Sequence, residues 1–302
     1  MTAELIRFAK RYNRLLHVFD NFVALAPARF RPGFIFTLGR LLSPFKIYTS
    51  KIVSAVRSAL PGCDASAVWR RWLDSHVAFV LDFLTYQEFD AVWLKNAFVC
   101  ANQPALDALR QSGGLLLTYH THHQNTLCCA LGLQGMKVSA VAASPLDSPL
   151  FDYIGRWSTR VNVDSSRHFN GGNYIFTSNL RSLLTATQKC FAAGEVVVSL
   201  CDFHQPKTDC VASAVFFNRC VAPPTGVIEM ALKHRVPIFL ALLAPADHKL
   251  CLQMTQLPES VDLKAVVDQY FCFLESNIRA NPACWQGWEW FADLPKTLEA
   301  PT

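Results

Sequence analysis

The sequence predicts an α/β fold, in which a mostly parallel central sheet is flanked by helices and preceded by an N-terminal helical subdomain. Short apolar runs at 115–119, 138–143 and 196–200 end at polar residues, as buried strands do. Segments with helical spacing separate these runs, and such alternation is typical of a parallel sheet covered on both faces. Half of the 302 residues are hydrophobic (51%), which is enough for a large buried core.

Residues 1–110 are predicted to form the helical region that packs on this core. Four segments in it have the apolar spacing of helices: 1–20, 35–60, 64–84 and 103–111. Asp64 stands at the start of the third segment, where an acidic residue caps free backbone N–H groups.

Residues 111–302 are predicted to form the α/β core, in one continuous domain with the helical region. The predicted strands comprise 115–119, 138–143, 161–163, 196–200 and 237–243. The predicted helices comprise 126–133, 148–159, 173–193, 226–234 and 263–279. Ligands of such folds collect at the carboxyl ends of strands, and both His120 and Asp202 follow predicted strand ends.

The net charge and the cysteine content of the chain indicate which kinds of ligand and partner it can bind. The formal net charge of +5 suits an acidic partner or an anionic lipid surface, and no basic run is dense enough for a nucleic-acid site. The eleven cysteines show no CxxC spacing, which argues against a structural zinc site. We expect reduced thiols in a cytoplasmic protein, because the number is odd and no signal peptide is visible.

Basic and apolar positions alternate through residues 1–60. This pattern leaves two interpretations open, a peripheral contact with the inner membrane or an ordinary helical subdomain with solvated basic residues. No apolar run reaches the ~20 residues that a membrane-spanning helix needs.

A histidine cluster follows the strand at 115–119 and contains His120, His122 and His123. One interpretation is a zinc hydrolase, since alternate residues of an extended chain point the same way and could share a metal. The positions that continue the metallo-β-lactamase motif hold Gln124 and Asn125, which are poor ligands. A second interpretation is a polar loop with no chemical role.

The third interpretation is acyl transfer. The segment resembles the HX4D or HX4E motif of membrane-lipid acyltransferases, in which a strand-end histidine is followed by an acid five positions on. In this sequence Asn125 stands five positions after His120. A histidine held in this way can take a proton from a hydroxyl or amine, and the start of the following helix favours a developing oxyanion.

Five segments extend the comparison over residues 35–292. They are 56–61, ending in Pro61; 114–120; 194–202, with the pattern G-x-V-V…D; 215–226; and 281–290, with the pattern P-x-x-W-x-W. Together and in this order they resemble the lauroyl/myristoyl acyltransferases of lipid A biosynthesis, within the lysophospholipid acyltransferase superfamily.

The resemblance implies roles for particular residues. His120 would be the general base, Asn125 would orient its ring, and helix N–H groups near Thr126 would hold the oxyanion. An asparagine cannot supply the charge that stabilises an imidazolium, so Asp202 is the candidate carboxylate. Arg167 is the candidate for contacts with phosphate or substrate.

Three further residues are candidates for binding substrate. His168 adjoins Arg167 in the loop before 170–173. Thr225 and Gly226 open a predicted helix whose free N–H groups suit an anion.

The expected activity is transfer of an acyl group from acyl carrier protein, through its phosphopantetheine thioester, or from acyl-CoA. The acceptor would be a hydroxyl or amine of a small molecule or a lipid, with acyl carrier protein as partner, no nucleic acid, and no metal or bound redox cofactor. Two alternatives remain: a zinc-dependent hydrolase that uses His120 and His122, and a catalytically inactive acyl- or carrier-binding homologue, which Asn125 suggests.

Overall fold

The computed structural model describes residues 3–25, 49–147, 151–205, 212–246 and 249–294. Within these ranges the chain forms ten α-helices and a seven-stranded, mostly parallel sheet. The predicted α/β class is therefore confirmed.

Four helices precede the sheet: α1 (Ala3–Leu25), α2 (Thr49–Ala59), α3 (Ala65–Thr85) and α4 (Ala91–Ala97). Asp64 caps α3 as predicted, because its carboxylate accepts hydrogen bonds from the backbone N–H groups of Ser66 and Ala67, both at 3.0 Å. The predicted helix at 35–60 is described only from residue 49, where α2 begins, and its first part lies outside the described residues.

Nine strands are present in the described ranges. They are β1 (Phe98–Cys100), β2 (Gly114–Thr118), β3 (Val138–Ala142), β4 (Tyr174–Phe176), β5 (Val196–Leu200), β6 (Ala214–Phe216), β7 (Arg219–Val221), β8 (Ile238–Ala246) and β9 (Lys249–Gln256). Seven of them form the central sheet in the order β1-β9-β8-β2-β5-β3-β4, and β6 and β7 form a separate antiparallel hairpin. Neighbours in the central sheet are parallel except for β8 and β9, which are antiparallel.

Six further helices follow β1 along the chain. They are α5 (Gln103–Ser112), α6 (Gln124–Leu133), α7 (Phe151–Ser166), α8 (Leu180–Ala192), α9 (Gly226–Lys233) and α10 (Leu263–Ala280). Three short 3₁₀ turns then complete the described chain: Pro282–Cys284, Gln286–Glu289 and Phe291–Asp293.

The central strand β2 divides the core into two layers. Leu115 and Leu117 pack in the layer of α2, α9 and α10, whereas Leu116 packs in the layer of α1, α5, α6 and α7. All three leucines are fully buried, because successive side chains of a strand point to opposite faces and both faces are covered. This accounts for the unbroken apolar run seen in the sequence.

Two predicted elements differ in the structure. The strand predicted at 161–163 belongs to α7, in which Trp157 and Val161 are buried one helical turn apart while Val163 is half exposed. The helix predicted at 173–193 is divided, because β4 occupies 174–176 and the Asn179 side chain then caps α8 through Ser182 N at 3.0 Å.

The described helices include none that is both long and apolar enough to cross a membrane. Within the range predicted as the N-terminal helical region, β1 pairs with β9 and extends the central sheet.

Candidate functional site

His120 and Asp202 meet because their strands are neighbours. β2 and β5 run parallel, and Thr118 lies beside Leu200 at their carboxyl ends. Each strand continues for two residues, to His120 and to Asp202 respectively, and the side chains then contact each other. His120 Nδ1 lies 2.6 Å from Asp202 Oδ1. The two residues predicted to follow strand ends are thus brought together at the carboxyl ends of two neighbouring central strands.

The carboxylate of Asp202 is buried and fixed by three hydrogen bonds. Its side chain is fully excluded from solvent. Oδ2 accepts from the backbone N–H of His120 at 3.0 Å and from Nε1–H of Trp285 at 2.8 Å, and Oδ1 faces the imidazole. Such hydrogen bonds offset the cost of burying a carboxylate and hold it in one orientation.

The pairing determines which nitrogen of His120 can take a proton. A carboxylate only accepts hydrogen bonds, so Nδ1 of His120 donates its proton to Asp202 and Nε2 is left as the acceptor. The His120 side chain is 31% exposed, in contrast to its partner. The arrangement therefore presents a basic nitrogen on a ring that keeps access to solvent.

The surroundings of His120 act on its pKa in opposite directions. Burial lowers the pKa, whereas the charge of Asp202 and the hydrogen bond to it raise it, with a smaller contribution from Glu289. The net pKa is raised above the ordinary histidine value. The neighbouring carboxylates thus make this imidazole a better proton acceptor.

Aromatic side chains and the C-terminal segment enclose His120. The Trp290 ring meets the imidazole edge-on at 5.3 Å between centroids, and the Phe203 ring lies at 6.1 Å. The backbone N–H of Gln286 donates to the carbonyl of His120 at 2.8 Å, and Thr121 forms a β-bridge with Trp285. The terminal W-x-x-W-x-W segment is therefore part of the site.

Glu289 is a second ionisable group at this place, and sequence reasoning assigned it no role. Burial raises the pKa of Glu289 to about 7, and the charges of Lys51 and His120 only partly oppose this. The signal available in the sequence was an acidic residue between two tryptophans, Trp288 and Trp290. Its closeness to His120 depends on the docking of the C-terminal segment.

Asn125 does not have the predicted position relative to His120. In the described part of the chain no hydrogen bond joins the two side chains, and Nδ1 of His120 is bound to Asp202 instead. Asn125 lies in the first turn of α6, which begins at Gln124. The orienting contact comes from the neighbouring strand and not from the helix that follows the histidine.

His122 and His120 face different surroundings. His122 is 1% exposed and packs against the rings of Trp72, at 5.3 Å, and His76, at 5.6 Å. Burial lowers its pKa well below the usual value, and neither ring nitrogen has a hydrogen-bond partner in the described structure. Across the described ranges, no three His, Cys, Asp or Glu side chains are grouped so as to hold a metal ion.

His123 ties the turn to α3. Its Nδ1 lies 3.1 Å from Oδ2 of Asp82, and the hydroxyl of Thr126 donates to the same oxygen at 3.0 Å. The backbone N–H of His123 donates to the hydroxyl of Thr121 at 3.0 Å. This second histidine–aspartate contact fixes the start of α6 against the helical region, and nothing in the local sequence indicated Asp82.

Arg167 and His168 lie at the amino-terminal end of β3, whereas His120 follows the carboxyl end of β2, so their place differs from the predicted one in the site. They follow α7 in the turn before β4, where the carbonyl of Phe169 accepts from the N–H of Val138 at the start of β3. His168 Nε2 donates to the carbonyl of Tyr86 at 2.6 Å. Residue spacing alone could not show whether this turn would lie at the amino or the carboxyl ends of the strands.

Thr225 and Gly226 begin α9, as predicted. The hydroxyl of Thr225 donates to the carboxylate of Glu229, and Gly226 borders a groove between α8 and α9 that Leu180 also lines. Among the described residues, neither Thr225 nor Gly226 is hydrogen-bonded to His120 or Asp202.

In chemical terms, the site can remove a proton from a bound group through Nε2 of His120 while Asp202 stabilises the resulting imidazolium. The start of α6 adjoins it, and its N-cap residue His123 makes no capping hydrogen bond through its side chain. No protein-family model matches this sequence, and no curated protein sequence matches it either.

Proposed function

We propose that the protein is an acyltransferase that moves an acyl group from a thioester to a hydroxyl or amine, with His120 as general base. The observation that carries this proposal is the 2.6 Å contact between His120 Nδ1 and the buried carboxylate of Asp202. An imidazole held in this way by a carboxylate is the usual means of activating an acceptor for attack on an acyl group. Asp202 takes the part that the sequence resemblance gives to an acid five positions after the histidine.

The reaction follows from the free nitrogen of the ring. Nε2 of His120 takes the proton of the acceptor O–H or N–H as the acceptor atom forms a bond to the thioester carbonyl carbon. The carbonyl oxygen then carries a negative charge until the C–S bond breaks. The departing thiolate receives the proton from Nε2, so that the products are an ester or amide and a free thiol. Asp202 stabilises the imidazolium between the two proton transfers.

The start of α6 supports the charge on the carbonyl oxygen. A helix presents unpaired N–H groups and positive potential at its first turn. The side chain of the N-cap residue, His123, does not occupy these groups, because its Nδ1 is engaged with Asp82. We assign the stabilisation of the oxyanion to this turn.

The donor is a thioester of acyl carrier protein or of coenzyme A. A thiolate is a good leaving group, so one base is sufficient and no covalent intermediate with the protein is required. The net charge of +5 supports an acidic carrier as donor. The order of the five sequence segments that resemble lipid A acyltransferases supports the same donor class.

A thioester assay tests the proposal. Purified protein is incubated with acyl-CoA and with acyl carrier protein thioesters, and products are identified by mass spectrometry for the wild type, His120→Ala, Asp202→Asn and the control His234→Ala. His234 is an exposed residue at the end of α9. We expect transfer by the wild type and the control and its loss in the other two variants. Equal product from the wild type and His120→Ala would refute the mechanism, and an activity removed by chelators and by His122→Ala would support a zinc hydrolase.

A further inference from the structure

The site contains more proton-accepting capacity than transfer to an alcohol requires. His120 with Asp202 is one acceptor, and the half-buried carboxyl of Glu289 is another. Glu289 ends the 3₁₀ turn Gln286–Glu289, whose first N–H donates to the carbonyl of His120, and the next residue, Trp290, contacts the imidazole ring. The turn that carries Glu289 is thus anchored to the backbone of His120 through Gln286, and the residue after Glu289 contacts the His120 ring.

The number of protons that an acceptor must lose distinguishes amines from alcohols. An alcohol gives up one proton as it attacks a carbonyl. A primary amine is an ammonium ion near neutral pH, and it must lose one proton before its lone pair can attack and a second proton afterwards. An enzyme for amines therefore benefits from two proton acceptors, whereas one is enough for alcohols.

We propose that the acyl acceptor is a primary amine and that Glu289 binds its ammonium group and takes the first proton. The inference rests on the proposed acyltransferase function and adds the class of acceptor to it.

Two aromatic rings beside His120 fit a cationic group. The rings of Trp290 and Phe203 flank His120, and aromatic rings attract ammonium ions. The Nε1–H of Trp290 is buried and has no hydrogen-bond partner within the described residues, so it can donate to a polar atom of a bound molecule. A buried donor without a partner is costly, and a ligand that accepts from it removes that cost.

Among the residues that the structure describes, three titratable groups interact with Glu289 from the elements packed against it. They are His120 after β2, Lys51 on α2 and Tyr12 on α1. Lys51 is itself bound to the carboxylate of Asp293 at 3.0 Å. Burial raises the pKa of Glu289 to about 7, so this carboxyl can exchange a proton near neutral pH.

The amine loses one proton before it attacks the thioester and one afterwards. The ammonium gives one proton to the Glu289 carboxylate and becomes a neutral amine. Its nitrogen forms a bond to the thioester carbonyl carbon, Nε2 of His120 takes the second proton, and the C–S bond breaks with transfer of that proton to the thiolate. Glu289 releases the first proton to solvent. The products are an amide, a thiol and one proton.

Matched acceptors test the inference on the full chain. Hexylamine is compared with hexanol, and phenethylamine with phenethyl alcohol, each with octanoyl thioesters of coenzyme A and of acyl carrier protein. Amide and ester are quantified by mass spectrometry for the wild type, Glu289→Gln, His120→Ala and the control Glu259→Gln, an exposed residue outside the site. The rate with His120→Ala measures the background of uncatalysed aminolysis.

We expect the wild type to favour amines and Glu289→Gln to reduce kcat/KM for them by about 10²- to 10⁴-fold, as loss of one positioned proton acceptor does. Transfer to alcohols should fall less than transfer to amines in that variant, because the charge of Glu289 acts on alcohols only through the pKa of His120. The amine rate of the wild type should fall below a pH of about 7 in a limb that Glu289→Gln lacks. Equal losses for amines and alcohols, or no loss for amines, would overturn the inference while leaving the acyltransferase proposal intact. No transfer above the His120→Ala background would refute the acyltransferase proposal itself.

Discussion

Asp202 Oδ2 accepts a hydrogen bond from the backbone N–H of His120, while Asp202 Oδ1 contacts the imidazole of the same residue. One carboxylate therefore fixes both the main chain and the side chain of His120. This double contact leaves the ring little freedom to turn, and it supports a role in which a single nitrogen must point at an incoming acceptor.

Replacement of Asp202 by asparagine should reduce kcat for acyl transfer by about 10²- to 10⁴-fold. The amide cannot stabilise the imidazolium, and its NH₂ group can favour the wrong tautomer of His120. Steady-state kinetics with an acyl thioester measure the effect. The control is Asp268→Asn, an exposed residue on α10 that pairs with Lys264. Retention of full activity in a folded Asp202→Asn protein would contradict the assigned role.

The loss of activity in acid should begin above the pH at which an ordinary histidine titrates. His120 must be neutral to act as a base, and its pKa is raised above 6.5 because the nearby carboxylates outweigh the effect of burial. The rate should therefore rise with pH through the raised value and then level off. NMR titration of His120 in the wild type measures the pKa directly, and a value below that of a free histidine would show that burial dominates.

Glu289→Gln should stabilise the fold in alkali. The pKa of Glu289 is raised in the folded state, so its contribution to stability is complete below the unfolded value and is lost as pH rises through about 7. Glutamine lacks this dependence. We expect the variant to melt about 2–4 °C above the wild type at pH 8, and the difference to vanish near pH 4. Calorimetry at the two pH values provides the measurement, and an identical difference at both would exclude ionisation of Glu289 as its cause.

His122→Leu should keep its activity and resist acid better than the wild type. His122 is buried beside Trp72 and His76, and neither of its ring nitrogens has a hydrogen-bond partner among the described residues. Its lowered pKa makes protonation unfavourable to the folded state. The wild type is therefore fully stable above the pKa that His122 has in the unfolded chain, and it loses stability as the pH falls below that value. Denaturation at pH 5 and pH 7 checks this. Loss of transfer activity in this variant would indicate that His122 takes part in the chemistry.

Trp285→Phe should weaken both the fold and the site. The indole N–H donates to the buried carboxylate of Asp202 at 2.8 Å, and a hydrogen bond to a charged group contributes about 1.5–3 kcal/mol. The matched control is Trp288→Phe, whose indole donates to the backbone carbonyl of Pro282. We expect Trp285→Phe to lower the denaturation midpoint more than Trp288→Phe, because its lost bond is to a charged group, and to lose more activity as well. Equal activities would show that this donor does not position Asp202.

Features that arise within a few residues were predictable from the sequence. Asp64 caps α3 as expected, and the runs at β2, β3, β5 and β8 were recognised because both faces of these strands are covered. The positions of His120 and Asp202 after strand ends followed from the same reasoning. The strand predicted at 161–163 was wrong, because three residues cannot distinguish alternation from one face of a helix.

Features that depend on contacts between distant segments were not predictable. Asn125 has the spacing of the acid in the HX4D motif, yet the orienting carboxylate comes from the adjacent strand β5. Glu289 and Trp285 reach His120 only through the docking of the C-terminal segment, and Asp82 reaches His123 from α3. Arg167 and His168 were predicted to lie in the site because sequence order does not show whether a turn lies at the amino or the carboxyl ends of the strands.

Asp202 is held by a hydrogen bond from Trp285, and the His120 carbonyl is held by one from Gln286. This has a consequence for the order in which the site forms during synthesis of the chain. Translation delivers both strands of the sheet centre long before it delivers these two residues. A nascent chain still on the ribosome therefore holds an unsupported aspartate and an imidazole without a fixed direction, and it should be unable to consume thioesters. We therefore expect the proposed acyl transfer to begin only after Trp285 and Gln286 have been synthesised and have docked against the sheet.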